Sequence, residues 1–383
     1  MVRRFPPLLL AGAVALALPA VLSAQDAPVA APGAATEVPP LPEKAEPAEL
    51  IAFAKQVLSQ PMPQGPRDTM MKLFQKRAAL ALEAAERALP AVQPADAVFE
   101  DAARMKMQAL MMLAQLGDRT APPRLGEFAA TLVDSPSKTL AREARRMTIL
   151  TDMQGLFTGG DATKAGPIVD RIVALVEEDP TDGDTANLAM QTATVLERFP
   201  GGGDVSRSIY RRLAPVLEGS DDERTKALGA MFAGTLRRLD LPGNEMEISG
   251  TNMDGTPFDQ KQLAGKVVLV DFWATWCGPC IAEIPNVREQ YEKYHDKGFE
   301  VVGISLDEDR GALEGFIADQ KIPWIILHEQ SVAERGGHPL AAKYGITGIP
   351  TVILVGRDGK VVSMDVRGEK LGAQLDKLFK DAK

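Results

Sequence analysis

The chain has 383 residues, 45% hydrophobic and 25% charged, which excludes a disordered or fibrous protein and leaves room for two or three domains. A formal charge of −9 and a pI of about 5.1 repel phosphate backbones and anionic headgroups, so nucleic acid is not an expected partner. Two cysteines are too few for a disulfide framework or a four-cysteine zinc site, yet they stand three positions apart as Cys277 and Cys280. Both lie after residue 240, as do all three Trp and all three His, which places the reactive side chains in the last third.

At the start of the chain, Arg3 and Arg4 precede an apolar run from Leu8 to Leu18 and small residues at Ser23 and Ala24, a pattern that predicts a secretory signal peptide over residues 1–24. An uncleaved anchor is the alternative, since Leu22 is an imperfect residue three before the cut. Against it, the run is shorter than the ~20 apolar residues of a spanning helix and Pro19 breaks it. The expectation is an exported protein of the periplasm or cell envelope, where a cysteine pair meets oxidising conditions. Residues 25–47 carry Pro28, Pro32, Pro39, Pro40, Pro42 and Pro47 among Ala, Val and Glu, and are expected to form an extended linker without chemistry of its own.

Over residues 48–240 apolar residues recur at three- and four-residue spacing, as in MMKLFQKRAALALEAAERAL and ARMKMQALMMLAQL, predicting an all-helical domain of eight or nine helices. Ser135 before Pro136 reads as an N-cap with proline at the first helical position, and Ser220 with Glu223 as a capping box. Asp182-Gly183 and the glycines 201–203 mark turns. The outline is that of a stacked, repeat-like array, but without tetratricopeptide or ankyrin consensus residues. Eleven of the 15 Met fall here, and at helical spacing they are expected to fill a core rather than line a partner groove.

From residue 241 the pattern changes to continuous apolar runs of strand length: KVVLVDFWA (266–274), FEVVGIS (299–305), WIIL (324–327) and TVILV (351–355), the last turned back by Asp358-Gly359 into KVVSM. Helical stretches follow Cys280, surround 313–320 and close the chain from Glu369. Strands alternating with helices, then a hairpin, predict an α/β domain over 241–383.

Trp276-Cys277-Gly278-Pro279-Cys280 follows the first of these strands and opens a helix. A cysteine at a helix N-terminus faces unpaired backbone N–H groups and the positive end of the dipole, which favour its thiolate, so Cys277 is the expected nucleophile. Cys280, a turn on, is placed to attack a mixed disulfide on Cys277. A structural disulfide closing so small a loop would gain little from chain entropy. A zinc site lacks further ligands, because His295, His328 and His338 are scattered. No cofactor is expected beyond the dithiol.

DFWATWCGPCIAEIP, a strand, an inserted helix and strand, and then YGITGIPTVILVGRDGKVV together resemble the TlpA/ResA-like branch of exported thioredoxin-fold thiol:disulfide oxidoreductases, over about residues 241–383. The resemblance implies a thioredoxin-like domain after the helical one, a membrane electron donor of CcdA/DsbD type, and protein disulfide substrates, including apocytochromes c in several members. It implies Cys277 as surface nucleophile and Cys280 as buried resolving thiol. Asp271 matches the buried carboxylate that exchanges a proton with the resolving cysteine, a role consistent with a carboxylate whose pKa an apolar strand would raise. Many members have Asn at that position. Glu283, on the same helix face as Cys280, matches an acidic residue that tunes thiol acidity. Pro350, after Ile349, matches a cis-proline that presents backbone to an extended substrate segment. Trp276 is expected as an exposed docking platform and Trp273 as core.

Net reduction of partner disulfides is the leading expectation, and its direction rests on the resemblance. A disulfide oxidase or isomerase would use the same residues at a higher potential. A thiol peroxidase would need a Pro-x-x-x-Thr-x-x-Cys spacing that Cys277 lacks. In a reading of another class, the helical domain binds an envelope partner and the dithiol is accessory.

Overall fold

A computed structural model describes residues 38–61, 65–159, 161–329 and 338–380. The expected signal peptide and most of the expected linker lie outside the described residues. No helix among the described residues is long and apolar enough to cross a membrane. By internal packing the chain divides into two compact units, Met1–Thr151 and Asp152–Lys383. The division falls inside a helix, well before the change of sequence pattern at residue 241.

In the first unit, α1 (Pro47–Ser59) packs on α2 (Arg67–Ala88), α2 on α3 (Ala97–Gln115) and α3 on α4 (Ala121–Ala130), and α5 (Lys138–Gly159) follows, spanning the division between the units. The core is built from the small and apolar positions of the helical period: Leu50, Ile51 and Ala54 of α1 meet Ala78, Ala81 and Ala85 of α2 and Leu110 of α3. Met105 and Met107 are buried in that core, as expected of Met at this spacing. The start of α5 corrects one expectation. The capping hydroxyl belongs to Ser137, which accepts from the Leu140 N–H at 3.3 Å, and the helix begins two residues after Pro136.

The second unit continues with α6 (Gly166–Glu178), α7 (Gly183–Leu196), α8 (Gly202–Glu218) and α9 (Glu223–Leu239), so that nine α-helices precede residue 240 among the described residues. Asp182 caps α7 by accepting from the Asp184 and Thr185 N–H groups, and Gly201, at φ 75°, turns the chain into α8. The cap of α9 is Asp222, whose carboxylate accepts from the Thr225 N–H at 2.8 Å. The expected Ser220–Glu223 box is displaced, because Ser220 turns its hydroxyl to the Asp222 N–H instead.

The α/β part follows as β1 (Val267–Trp273), α10 (Gly278–Tyr294), β2 (Phe299–Ser305), α11 (Arg310–Gln320), β3 (Ile325–Leu327), α12 (Pro339–Lys343), β4 (Thr351–Val355), β5 (Val361–Ser363) and α13 (Glu369–Lys380). The sheet order is β3-β2-β1-β4-β5, with β1, β2 and β3 parallel and β4 antiparallel to both of its neighbours. This is the α/β domain expected of the strand and helix alternation, in the thioredoxin-like arrangement that the resemblance implies. The period of two on β1 sorts its side chains: Val268, Val270 and Phe272 enter one core, while Val267, Leu269 and Trp273 enter the other with Cys277, Cys280 and Ile284 of the dithiol segment. Asp271 has the parity of the second set and so projects toward the dithiol helix.

Candidate active site

The site forms where β1 ends and α10 begins. Ala274 and Thr275 make the connection, Cys277 is the N-cap of α10, and Gly278 and Pro279 are its first two residues, so Pro279 forfeits no helical hydrogen bond. Cys277 and Cys280 are joined as a disulfide with Cα atoms 5.2 Å apart. The Cys277 Sγ accepts from the Cys280 N–H at 3.2 Å, the capping geometry that in the reduced protein would stabilise a thiolate on this sulfur. The expected contrast between an exposed Cys277 and a buried Cys280 is absent in this disulfide state: they are 5% and 4% exposed. Capping position, not exposure, separates the two sulfurs. Trp276, immediately before Cys277, is 67% exposed, whereas Trp273 is buried with its ring against Phe316.

Room for Trp273 comes from a glycine on the next strand. A Cβ at Gly303 would stand 2.9 Å from the Trp273 Nε1 and 2.7 Å from the Ile326 Cδ1. The loop ahead of Cys277 is fixed by Asp307, a buried residue that the sequence pattern does not single out. Its carboxylate accepts from the Thr275 N–H at 3.0 Å, from the Thr275 hydroxyl at 2.5 Å and from the Ser305 hydroxyl at 2.9 Å. The His328 Nε2 lies 2.9 Å from the Asp307 carbonyl oxygen. The available signal is an Asp just beyond the strand FEVVGIS, but its partner, Thr275, is distant in sequence. Asp307→Ala is expected to cost roughly 2–4 kcal/mol, because buried donors on Thr275 and Ser305 lose their acceptor. Urea denaturation checks this, and a variant as stable as the parent would remove the anchoring role.

Asp271 keeps some exposure as a residue, but its Oδ1 is sealed from solvent and has no hydrogen-bond partner among the described residues. Burial first, then the negative charge of Glu283, push its carboxyl up to about 7, with Arg367 opposing. A carboxyl in that range is half ionised near neutrality and can both take and return a proton. Glu283 also has a structural role. Its Oε1 accepts from the Gly368 N–H at 2.7 Å and from the Asn286 side chain at 2.6 Å, tying α10 to the turn before α13.

The Ile349–Pro350 bond is cis. Thr351 pairs with Phe272, so Pro350 stands at the end of β1 from which the dithiol loop springs, and Ile349 packs against the core that contains both cysteines. His295 stacks on Tyr291, the His328 Nε2 meets the Asp307 carbonyl, and His338 caps α12 by accepting from the Leu340 N–H at 3.1 Å. His328 and His338 lie close enough to interact electrostatically, and the His328 Nδ1 and His338 Nε2 are buried without a hydrogen-bond partner among the described residues.

A dithiol at a helix N-terminus, beside a carboxyl that titrates near neutrality and a cis-proline loop, can exchange two electrons with another disulfide. The Redoxin family model matches residues 241–379. "Thiol-disulfide oxidoreductase ResA" of Bacillus thuringiensis subsp. konkukian is 35% identical over 132 residues, 34% of this chain and 71% of that protein. The chain belongs to the ResA family of thiol-disulfide oxidoreductases. The Bacillus subtilis ResA is 28% identical over 140 residues, 35% of this chain and 72% of its own length. Among solved structures, the thioredoxin domain of a thiol-disulfide oxidoreductase from Bacteroides vulgatus is 31% identical, covering 36% of this chain and 96% of its own, with a TM-score of 0.32. A ResA-family protein of this kind is an enzyme that acts on disulfides through its C-terminal domain. The family match begins at residue 241 and leaves α1 to α9 outside it.

Proposed function

We propose that the protein is exported and reduces disulfides in proteins of the cell envelope, with Cys277 as attacking thiolate, Cys280 as resolving thiol and Asp271 as proton acceptor. The observation that carries the reading is the capping of α10 by Cys277 while Asp271 shares the face of β1 whose Leu269 and Trp273 pack with that helix. In the first step the Cys277 thiolate attacks a substrate disulfide, forming a Cys277–substrate bond and expelling one substrate sulfur as thiolate. In the second, Asp271 takes the proton of Cys280, whose sulfur attacks Cys277 and releases the other substrate thiolate. Two electrons pass to the substrate, and the Cys277–Cys280 disulfide remains. A membrane thiol donor of CcdA/DsbD type would then restore the dithiol, and oxidised apocytochrome c is among the substrates this reading admits. Trp276 offers the exposed aromatic surface beside the nucleophile, and Ile349 with Pro350 the backbone edge on which a substrate segment lies.

Direction is tested by equilibrating the purified protein with glutathione and its disulfide and quantifying the dithiol. A reductase is expected to have a potential below that of glutathione, and about 30 mV corresponds to 1.4 kcal/mol, so a modest offset is measurable. A value well above glutathione would instead favour the oxidase or isomerase.

A further inference from the structure

Within the second compact unit, the loop that leads to Pro350 is built against the helices that precede the α/β part. Gly234 of α9 and Gly345 approach so closely that a Cβ on the first would stand 2.6 Å from the Ala342 carbonyl oxygen, and one on the second 2.4 Å from the Thr235 nitrogen. Gly345 also has φ 56°, which favours glycine there for a second reason. Arg237 of α9 donates to the Lys343 carbonyl at the end of α12. The Tyr344 hydroxyl accepts from the Glu247 N–H and donates to the Glu247 carbonyl, both at 3.0 Å, holding the loop from its other side.

Beside this junction is a cavity of about 120 Å3. Met190 of α7 and Met231 of α9 supply apolar walls, Glu197, Tyr210 and Arg238 supply polar groups, and Thr347, an exposed residue three positions before Pro350, contributes the loop side. The polar groups are unequally committed. Glu197 already accepts from the Ser206 hydroxyl at 3.2 Å, and burial together with the Glu197 charge raises the Tyr210 phenol to about 12, leaving it protonated. Arg238 makes no side-chain hydrogen bond or ion pair among the described residues. Glu197 keeps its negative charge, so the cavity carries both signs, and its unpaired donor capacity lies on the Arg238 cation, next to methionine side chains that suit methylene groups.

We propose that this cavity is a specificity subsite for substrate polypeptides: it takes an Asp or Glu side chain flanking the target cysteine, with the carboxylate on Arg238 and the methylenes against Met190 and Met231. The proposal rests on the reading that Cys277 and Cys280 reduce protein disulfides with the substrate lying along the Pro350 loop. Three residues span at most about 11 Å, which bounds the separation of Thr347 from Pro350 and sets the substrate position to be tested at about three residues from its cysteine. The helices outside the ResA match thus supply selectivity to the dithiol they adjoin.

The test uses the full-length reduced protein and two peptides, identical except for Glu or Lys three residues from a cysteine held in a mixed disulfide. Single-turnover rates are divided by those with dithiothreitol, because a neighbouring charge alters the cysteine's own reactivity. The parent protein is expected to prefer the Glu peptide about tenfold, Arg238→Lys to keep the direction of that preference, and Arg238→Glu to invert it. A merely structural role for Arg238 would lower both rates together and leave the ratio unchanged, which overturns the subsite. Equal rates for the two peptides with the parent, while it still reduces neutral hydroxyethyl disulfide, overturn the subsite and leave the oxidoreductase reading standing. Failure to reduce hydroxyethyl disulfide at all overturns both.

Discussion

Replacing Cys277 by Ala is expected to lower turnover of a peptide disulfide by a factor on the order of 10³ or more, because no other described side chain sits at the N-terminus of α10 to supply a stabilised thiolate. Cys280→Ala is expected to lose turnover to a similar extent for a different reason. It keeps the capping sulfur and the helix dipole, attacks once, and then lacks the thiol that releases product. The two variants therefore separate in a single-turnover experiment: Cys280→Ala consumes one equivalent of disulfide as a stable adduct, and Cys277→Ala consumes almost none. The capping hydrogen bond between the Cys280 N–H and the Cys277 Sγ at 3.2 Å survives in Cys280→Ala, since the donor is backbone. A Cys277→Ala protein that retained more than a tenth of the parent turnover would transfer the nucleophile's role to Cys280.

The second large effect concerns Asp271 and has two readouts. Its carboxyl is held at about 7 in the folded chain by burial and by Glu283, against an unfolded value near ~3.9, so the folded state carries an extra proton between those limits. Its contribution to stability is fully present below about pH 4 and is lost as pH rises through about 7. The total is on the order of 4 kcal/mol. Asp271→Asn removes the titration while keeping the shape. Subtracting its stability from that of the oxidised parent should give a small difference at pH 4 and a difference favouring the variant by several kcal/mol at pH 8. Urea denaturation followed by Trp fluorescence reports on the relevant unit, since Trp273, Trp276 and Trp324 all belong to it. In the same variant, release of the mixed disulfide is expected to slow about 10²-fold with little change in its formation, because only the second step needs a base at Cys280. A flat difference across pH would mean that the carboxylate finds solvent and ionises normally, and equal slowing of both steps would remove its role as proton acceptor.

The parts of this structure legible in the sequence are those set by neighbours along the chain. The run VVLVDFW announces a buried strand, Cys-Gly-Pro-Cys a helix start, and Asp358-Gly359 a hairpin, because each depends on residues within a turn of one another. The parity of Asp271 with Leu269 and Trp273 follows from the same local period. Cap positions slip by two residues where Ser, Pro and Asp stand together, as at Ser135 to Ser137 and at Ser220 to Asp222. Several hydroxyls and carboxylates compete there for the same few N–H groups, and only the path of the preceding turn selects among them.

Long-range pairings leave no trace in the pattern. Asp307 gives no sign of holding Thr275, nor Glu283 of holding the Gly368 N–H. Gly234 and Gly345 look like ordinary glycines until the backbones they bring together are known. Methionine shows the same limit, since Met105 and Met107 fill a core as expected while Met190 and Met231 line a cavity. Exposure is not encoded by the motif either: in the disulfide state Cys277 is as buried as Cys280.

Attack by Cys277 and resolution by Cys280 are tested most directly by reacting the full-length Cys280→Ala protein with an oxidised peptide and mapping the adduct by mass spectrometry after non-reducing digestion. One peptide per chain, attached at Cys277 and released by dithiothreitol, is the expected result. An unmodified Cys277 after exhaustive incubation, or continued turnover without an adduct, would contradict it.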